Sequence, residues 1–233
     1  MLAVAMIEGR VIPNGIDLET FRPVEKRRAR AQLPISGEGS LLVFAAKDGA
    51  ANPHKDFATL RAALAELPPA NGPLHCVVVG RAAATEDLSN GVCIRHLPPL
   101  GAKQVAEWLQ AADLCLIATR GESFSLVAAE SLACGTPVVA SKVGGLPEVV
   151  RDGQDGLLVP ERDPRAFAIA IAQLLRDPAR RLEMGRQGAA WAAHRFDRER
   201  MIDDYAAWFE TAIREYASLP ERYAREPNVE LSS

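Results

Sequence analysis

Short, almost continuously apolar segments alternate with stretches of helical period along this chain, and that alternation constrains the fold more than any other feature. The apolar segments are LLVFAA (41–46), HCVVVG (75–80), VCIRHL (92–97), DLCLIA (113–118), PVVAS (137–141) and GLLVP (156–160). Most lack the polar–apolar alternation of a strand with one wet face, so they are expected in a sheet covered on both sides, as parallel sheets are. Helical spacing of apolar residues occurs over 56–67, 102–113, 125–133, 164–177, 178–196 and about 198–216. Asp163-Pro164 and Asp177-Pro178 each supply an N-cap followed by proline at the first helical position. Strand following helix following strand predicts an α/β fold, a doubly wound parallel sheet.

At 233 residues, with 48% hydrophobic and 24% charged side chains, the chain suits one well-buried domain or one domain with an extension. A net charge of −3 does not suggest nucleic acid or an anionic membrane as a partner, since both would want a basic face. No apolar run approaches the roughly 20 residues that span a bilayer. The opening MLAVAMIEGR lacks the charged start and small-residue cleavage site of a signal peptide. Cys76, Cys93, Cys115 and Cys134 stand singly in apolar contexts, with no CxxC pair and no metal spacing, and are expected as reduced, buried thiols of a cytoplasmic protein.

Ligands of doubly wound sheets bind beyond the carboxyl ends of the strands. One loop there is the start of GESFSLVAAESLACGTPVVASKVGG (121–145), in which Glu122 and Glu130 bracket small and apolar residues. Ser123 or Ser125 can cap the helix that follows and leave its first N–H groups facing the cleft. Eight helical residues would separate the carboxylates by about 12 Å and about 80°. Spacing alone leaves two readings open: a pair lining a cleft, or a solvated loop residue and an ion-paired helix residue. Gly144-Gly145, after a strand and before a short helix with Pro147, reads as a close backbone approach to ligand or as a tight turn. KDGAANPHKD (47–56) offers Lys47, His54 and Lys55 to a phosphate, or to solvent. His96 lies in a loop beyond a strand, whereas His75 and His194 read as surface or packing residues. GxGxxG, P-loop and GxSxG patterns are absent.

Taken together, these residues resemble the donor-binding half of retaining glycosyltransferases of the GT-B fold, in glycosyltransferase family 4. The resemblance runs through VIPNGIDLETFRP (11–23), the Glu-x7-Glu of ESFSLVAAE, the run SLACGTPVVASKVGGLPEVVRDGQDGLLVP and RFDRERMIDDYAAWF. It implies a Rossmann-like domain over 23–196, a linker over 1–22, and a closing helix with a polar tail over 197–233. It implies transfer of a sugar from a nucleotide diphosphate sugar to an acceptor hydroxyl with retention, without cofactor or metal. Glu130 would accept from the ribose hydroxyls and Glu122 would face the donor sugar. The N–H groups of Phe124, Ser125 and Leu126 at the helix start, with Ser123 before them, would hold sugar and phosphate. Lys55 would neutralise the diphosphate, the loop at His96-Leu97 would meet the base, and Gly144-Gly145 would border the donor. Where the family often has Gly-Arg after the first strand, this chain has Ala45-Ala46-Lys47, leaving the second phosphate cation as Lys47 or His54. The N-terminal acceptor domain of such enzymes has no counterpart in the sequence, so a partner domain or chain is expected. The alternative is a nucleotide-sugar binding module without activity of its own.

Overall fold

A computed structural model describes residues 9–35, 38–52, 54–69 and 72–223. It contains a seven-stranded sheet: β1 (Ser40–Ala45), β2 (Leu74–Val79), β3 (Glu86–Asp87), β4 (Val92–Leu97), β5 (Leu114–Ile117), β6 (Val138–Ser141) and β7 (Gly156–Val159). The spatial order is β3-β4-β2-β1-β5-β6-β7, parallel throughout except for the two-residue edge strand β3 against β4. Setting β3 aside, this is the strand order of dinucleotide-binding sheets. The chain moves outward from β1 through β2 to β4, then returns to lay β5 on the other side of β1. The switch point between β1 and β5 is where a crevice opens at the carboxyl edge.

The expected strands are present, each within a residue or so of its apolar segment. Their lack of alternation has the anticipated cause. Leu41 and Val43 of β1 enter one buried cluster, with Val77, Cys115, Ile117 and Val138. Leu42 and Phe44 enter a second on the opposite face, with Cys76, Val78, Leu116 and Val139. Helices α1 (Lys26–Ala31), α3 (Ala102–Ala111), α4 (Leu126–Ala133), α5 (Leu146–Val149) and α7 (Pro178–Arg195) lie with the first cluster; α2 (Phe57–Ala65) and α6 (Pro164–Arg176) cover the second. The caps of α6 and α7 form as expected, with the Asp163 and Asp177 carboxylates each accepting a backbone N–H at 2.9 Å. The charged helix α1 and the strand β3 were not foreseen.

The terminal stretches meet. The Ile16 N–H donates to Phe196 O at 2.7 Å and the Arg198 N–H to Ile16 O at 3.2 Å, with Ile16 and Phe21 buried in the first cluster. From there α8 (Arg198–Tyr223) extends past the predicted end at Tyr216. The polar segment 224–233 and the first eight residues lie outside the described residues. Below the sheet, Asp113 binds Arg30 at 2.5 Å, Lys26 at 3.3 Å, Arg181 at 3.8 Å and the Leu41 N–H at 2.9 Å, tying α1 and α7 to β1. Burial is the largest single influence on its carboxyl and pushes upward. The surrounding cations and the Leu41 N–H together outweigh it and hold the group below the usual carboxylate range.

Candidate functional site at the strand switch point

Two loops flank the switch point, 46–56 after β1 and 118–125 after β5, and they are stitched together. The Asp56 N–H donates to Ala118 O at 3.0 Å and the Arg120 N–H to His54 O at 3.2 Å. The Thr119 hydroxyl lies 3.0 Å from His54 O, and the Arg120 guanidinium lies 3.6 Å from the Asp56 carboxylate. Within the first loop Asn52 acts as a brace. Its amide donates to Lys47 O at 2.9 Å, its side-chain oxygen accepts the His54 N–H at 2.9 Å, and its carbonyl accepts the Lys55 N–H at 3.2 Å. Under this lacing the Lys55 ammonium forms an ion pair with the Glu122 carboxylate, both side chains being mostly buried. The two residues assigned to diphosphate and donor sugar by resemblance therefore touch.

Ser125 begins α4 as its N-cap, with its hydroxyl accepting the Ala128 N–H at 3.4 Å. Its φ of 81° puts a non-glycine residue in the left-handed region, a conformation that costs of order 1 kcal/mol or more and is held by the surrounding packing. That turn keeps Glu122 off the helix, so the helical spacing of about 12 Å does not describe the Glu122–Glu130 pair, and only Glu130 is helical. The turn also leaves the backbone N–H groups from Glu122 to Val127 without an acceptor among the described residues. A run of free donors at a helix start suits an anion or sugar hydroxyls. Phe124 anchors the turn by packing edge-on to Phe196 at 5.3 Å, while Ser123 and Leu126 are exposed beside it.

Glu130 is half-buried, and its carboxylate has no hydrogen-bond or ion-pair partner among the described residues. Burial pushes its pKa up to about 7. Neighbouring thiols respond similarly: burial holds Cys115 up at about 12 and raises Cys134, with the Glu130 charge adding to both. Such thiols are inert. Cys93 departs from the expectation, being half-buried on the outer strand β4.

Gly144 and Gly145 are needed by the protein's own backbone. A Cβ on Gly144 would fall 2.0 Å from Glu122 O, and one on Gly145 2.1 Å from Ser123 O. The Gly145 N–H donates to Glu122 O at 2.8 Å. The pair supports the β5 loop from behind by close approach of two chains. His96, read as lying in a loop beyond a strand, is instead within β4, paired with Val78, and its ring packs edge-on at 5.8 Å against Phe57 at the start of α2. Leu97 turns to the other face and packs on the first cluster. Lys47 and His54 are both exposed on the first loop. The residues that lace the loops, Asn52, Asp56, Thr119 and Arg120, were not singled out from sequence. Their only signal there was position after a buried strand.

The domain profile described as glycosyl transferases group 1 matches residues 39–177, well over half the chain. The chain belongs to the glycosyl transferases group 1 family. A D-inositol 3-phosphate glycosyltransferase of Segniliparus rotundus is 38% identical over 226 residues, covering 92% of this chain and 49% of the relative. The sucrose-phosphate synthase of Thermosynechococcus elongatus superposes with a TM-score of 0.77 at 29% identity, covering 88% of this chain and 53% of that one. HepE of Anabaena, solved in complex with UDP and glucose, shares the fold with a TM-score of 0.71 at 23% identity over 86% of this chain and 56% of its own. The chain spans about half the length of the curated relatives it matches. The Rossmann-like α/β fold expected from the sequence, one half of a GT-B glycosyltransferase, is thus the fold found.

Proposed function

We propose that this chain is the donor-binding half of a retaining, family 4 glycosyltransferase that moves a sugar from a nucleotide diphosphate sugar to an acceptor hydroxyl. One observation carries the reading. At the switch point a buried-side lysine, a carboxylate and a run of unpaired backbone N–H groups converge, with a half-buried, unpartnered Glu130 in the adjoining helix. Charge that develops on a departing diphosphate would meet the Lys55 ammonium and the N–H groups of Phe124, Ser125 and Leu126 already in place, at little reorganisation cost. Glu130 would accept from the ribose diol, which satisfies a carboxylate that is otherwise costly to hold partly out of water. Glu122 would turn to the donor sugar, and Lys47 or His54 would supply the second phosphate cation. The end of β4 at His96-Leu97 would border the base.

The names of the relatives support a glycosyl transfer, and UDP and glucose in the HepE complex support a nucleotide-sugar donor. In this reading residues 1–22 lead into the donor domain at 23–196, and 197–233 form the closing helix and tail of a cytoplasmic enzyme. A second, acceptor-binding domain or chain is supported by the share of the relatives that is matched. It is also supported by α8, where Ile202, Tyr205, Phe209 and Ile213 project from one face, each exposed. Among the described residues no helix is long and apolar enough to cross a membrane.

The test is a thermal-shift panel of UDP-, GDP- and ADP-sugars. The reading expects one nucleotide to raise the melting temperature in a saturable way. No shift with any of them contradicts it.

A further inference from the structure

We propose that Thr119 is a positioning residue for the diphosphate site: its hydroxyl fixes the His54 carbonyl, and through it the backbone that aims Lys55. The inference rests on the donor-site reading above.

Asn52 braces His54 and Lys55 within their loop, but those bonds are internal to the loop and do not tie it to the β5 side of the site. The loop leaves β1 through a left-handed Asp48 (φ 63°) and a short 3-10 turn at Gly49–Ala51, and joins no strand before α2. A lysine on such a loop would place its ammonium poorly, because four rotatable side-chain bonds add to the backbone's freedom. Site geometry is held by neighbours that are themselves fixed, and Thr119 is fixed on every side. It is 1% exposed, it lies just beyond Ala118 and the end of β5 at Ile117, and its N–H donates to the equally buried Ser141 hydroxyl of β6 at 3.1 Å. A continuous path therefore runs from the sheet at Ser141, through Thr119, to the His54 carbonyl and the next residue, Lys55.

The Thr119 hydroxyl faces both loops. It lies 3.0 Å from His54 O and 2.9 Å from Gly121 O, and it carries one hydrogen for these two acceptors. Donation to His54 fastens the lysine's loop to the sheet, and donation to Gly121 tightens the turn that leads to Glu122. Only donation to His54 ties the lysine's loop to Thr119, and that is the bond the proposal rests on. A role confined to stability would affect every ligand alike. A role in aiming Lys55 should act on phosphate alone.

The experiment titrates the wild-type chain, Thr119→Val and Thr119→Ser with whichever of UDP, GDP and ADP binds the wild type best, and with the matching nucleoside. Thr119→Val keeps the branched shape and removes the hydroxyl. It should weaken the nucleoside diphosphate by about tenfold and leave the nucleoside within about twofold. Thr119→Ser restores the hydroxyl and should restore wild-type affinity. Equal losses for both ligands, no loss in Thr119→Val, or a Thr119→Ser as weak as the valine variant would each overturn the proposal. If Thr119→Val does not fold, Ser141→Ala replaces it, with the same selective loss at about threefold and the same grounds for rejection. A wild-type chain that binds none of the three nucleotides removes the donor-site reading itself, and this inference with it.

Discussion

The Lys55 ammonium and the Glu122 carboxylate form an ion pair across the gap between the two loops that follow β1 and β5. They are 67 residues apart in the chain and meet because β5 returns to the free side of β1. In the donor-site reading each has another partner to take, the diphosphate for Lys55 and the sugar hydroxyls for Glu122. On that reading a diphosphate would displace the Glu122 carboxylate from Lys55 and free that carboxylate for the sugar hydroxyls.

That competition gives Glu122→Gln an unusual sign. Removing the competing charge should tighten binding of the bare nucleoside diphosphate by about 0.5–1 kcal/mol, the scale of a partly solvated ion pair. Binding of the complete nucleotide sugar should gain less, or weaken, because the sugar loses an acceptor. Calorimetry with both ligands checks this, and weaker binding of the bare diphosphate would contradict it.

Lys55→Ala should act in the opposite direction. Loss of a charge-assisted contact should weaken the nucleoside diphosphate by about 1.5–3 kcal/mol, while the nucleoside changes little. Comparable losses for the two ligands would remove Lys55 from the phosphate site.

Glu130 ties binding to pH. Its carboxyl is held by burial at about 7, above its ordinary 4.5. The raised value means the folded protein holds this proton more tightly than the unfolded chain. The associated stability is present below the ordinary carboxylate range and is lost as pH rises toward and through about 7. Glu130→Gln should therefore raise the melting temperature at pH 8 and leave it nearly unchanged near pH 4. In the donor-site reading ribose hydroxyls would donate to the ionised form, so nucleotide binding near pH 7 should release up to about half a proton. Titrations in buffers of different ionisation enthalpy would show it as a buffer-dependent heat. Glu130→Ala should abolish that dependence and weaken binding by about 1–3 kcal/mol.

Gly145→Ala tests the support behind the turn. Its Cβ would meet Ser123 O at 2.1 Å, so one of the two chains must move. The overpacking should cost about 1–3 kcal/mol of stability and weaken nucleotide binding together, read from melting and titration of the same sample. Unchanged values for both would contradict the close packing.

The sheet was legible because parallel strands covered on both faces need side chains that are apolar on both, and segments such as HCVVVG show it without any partner in view. The two helices capped by Asp163 and Asp177 were legible because the cap and its proline are adjacent in sequence. Helix α1 escaped because only Ala29 of KRRARA is buried; its place is set by Arg30 reaching Asp113, a contact across 83 residues. The edge strand β3 has two residues and no apolar pattern to show. At the site, Lys55, Glu122 and Glu130 could be singled out by residue type and resemblance. The lacing by Asn52, Asp56, Thr119 and Arg120 could not, because it consists largely of backbone carbonyls and N–H groups brought together by topology. Gly144-Gly145 was read as a close approach to a ligand or as a tight turn, and its close neighbour in the structure is the Glu122–Ser123 backbone.

The most direct measurement of the central claim is amide hydrogen exchange of the chain with and without the nucleotide sugar that shifts its melting most. Unpaired amides exchange readily, and those that gain an acceptor slow down. The account predicts slowed exchange from Glu122 to Val127 and in the loop carrying Lys55, with the edge strand β7 unaffected. Saturation without protection of those two loops, or protection confined to another part of the molecule, would contradict a donor site at the β1–β5 switch point.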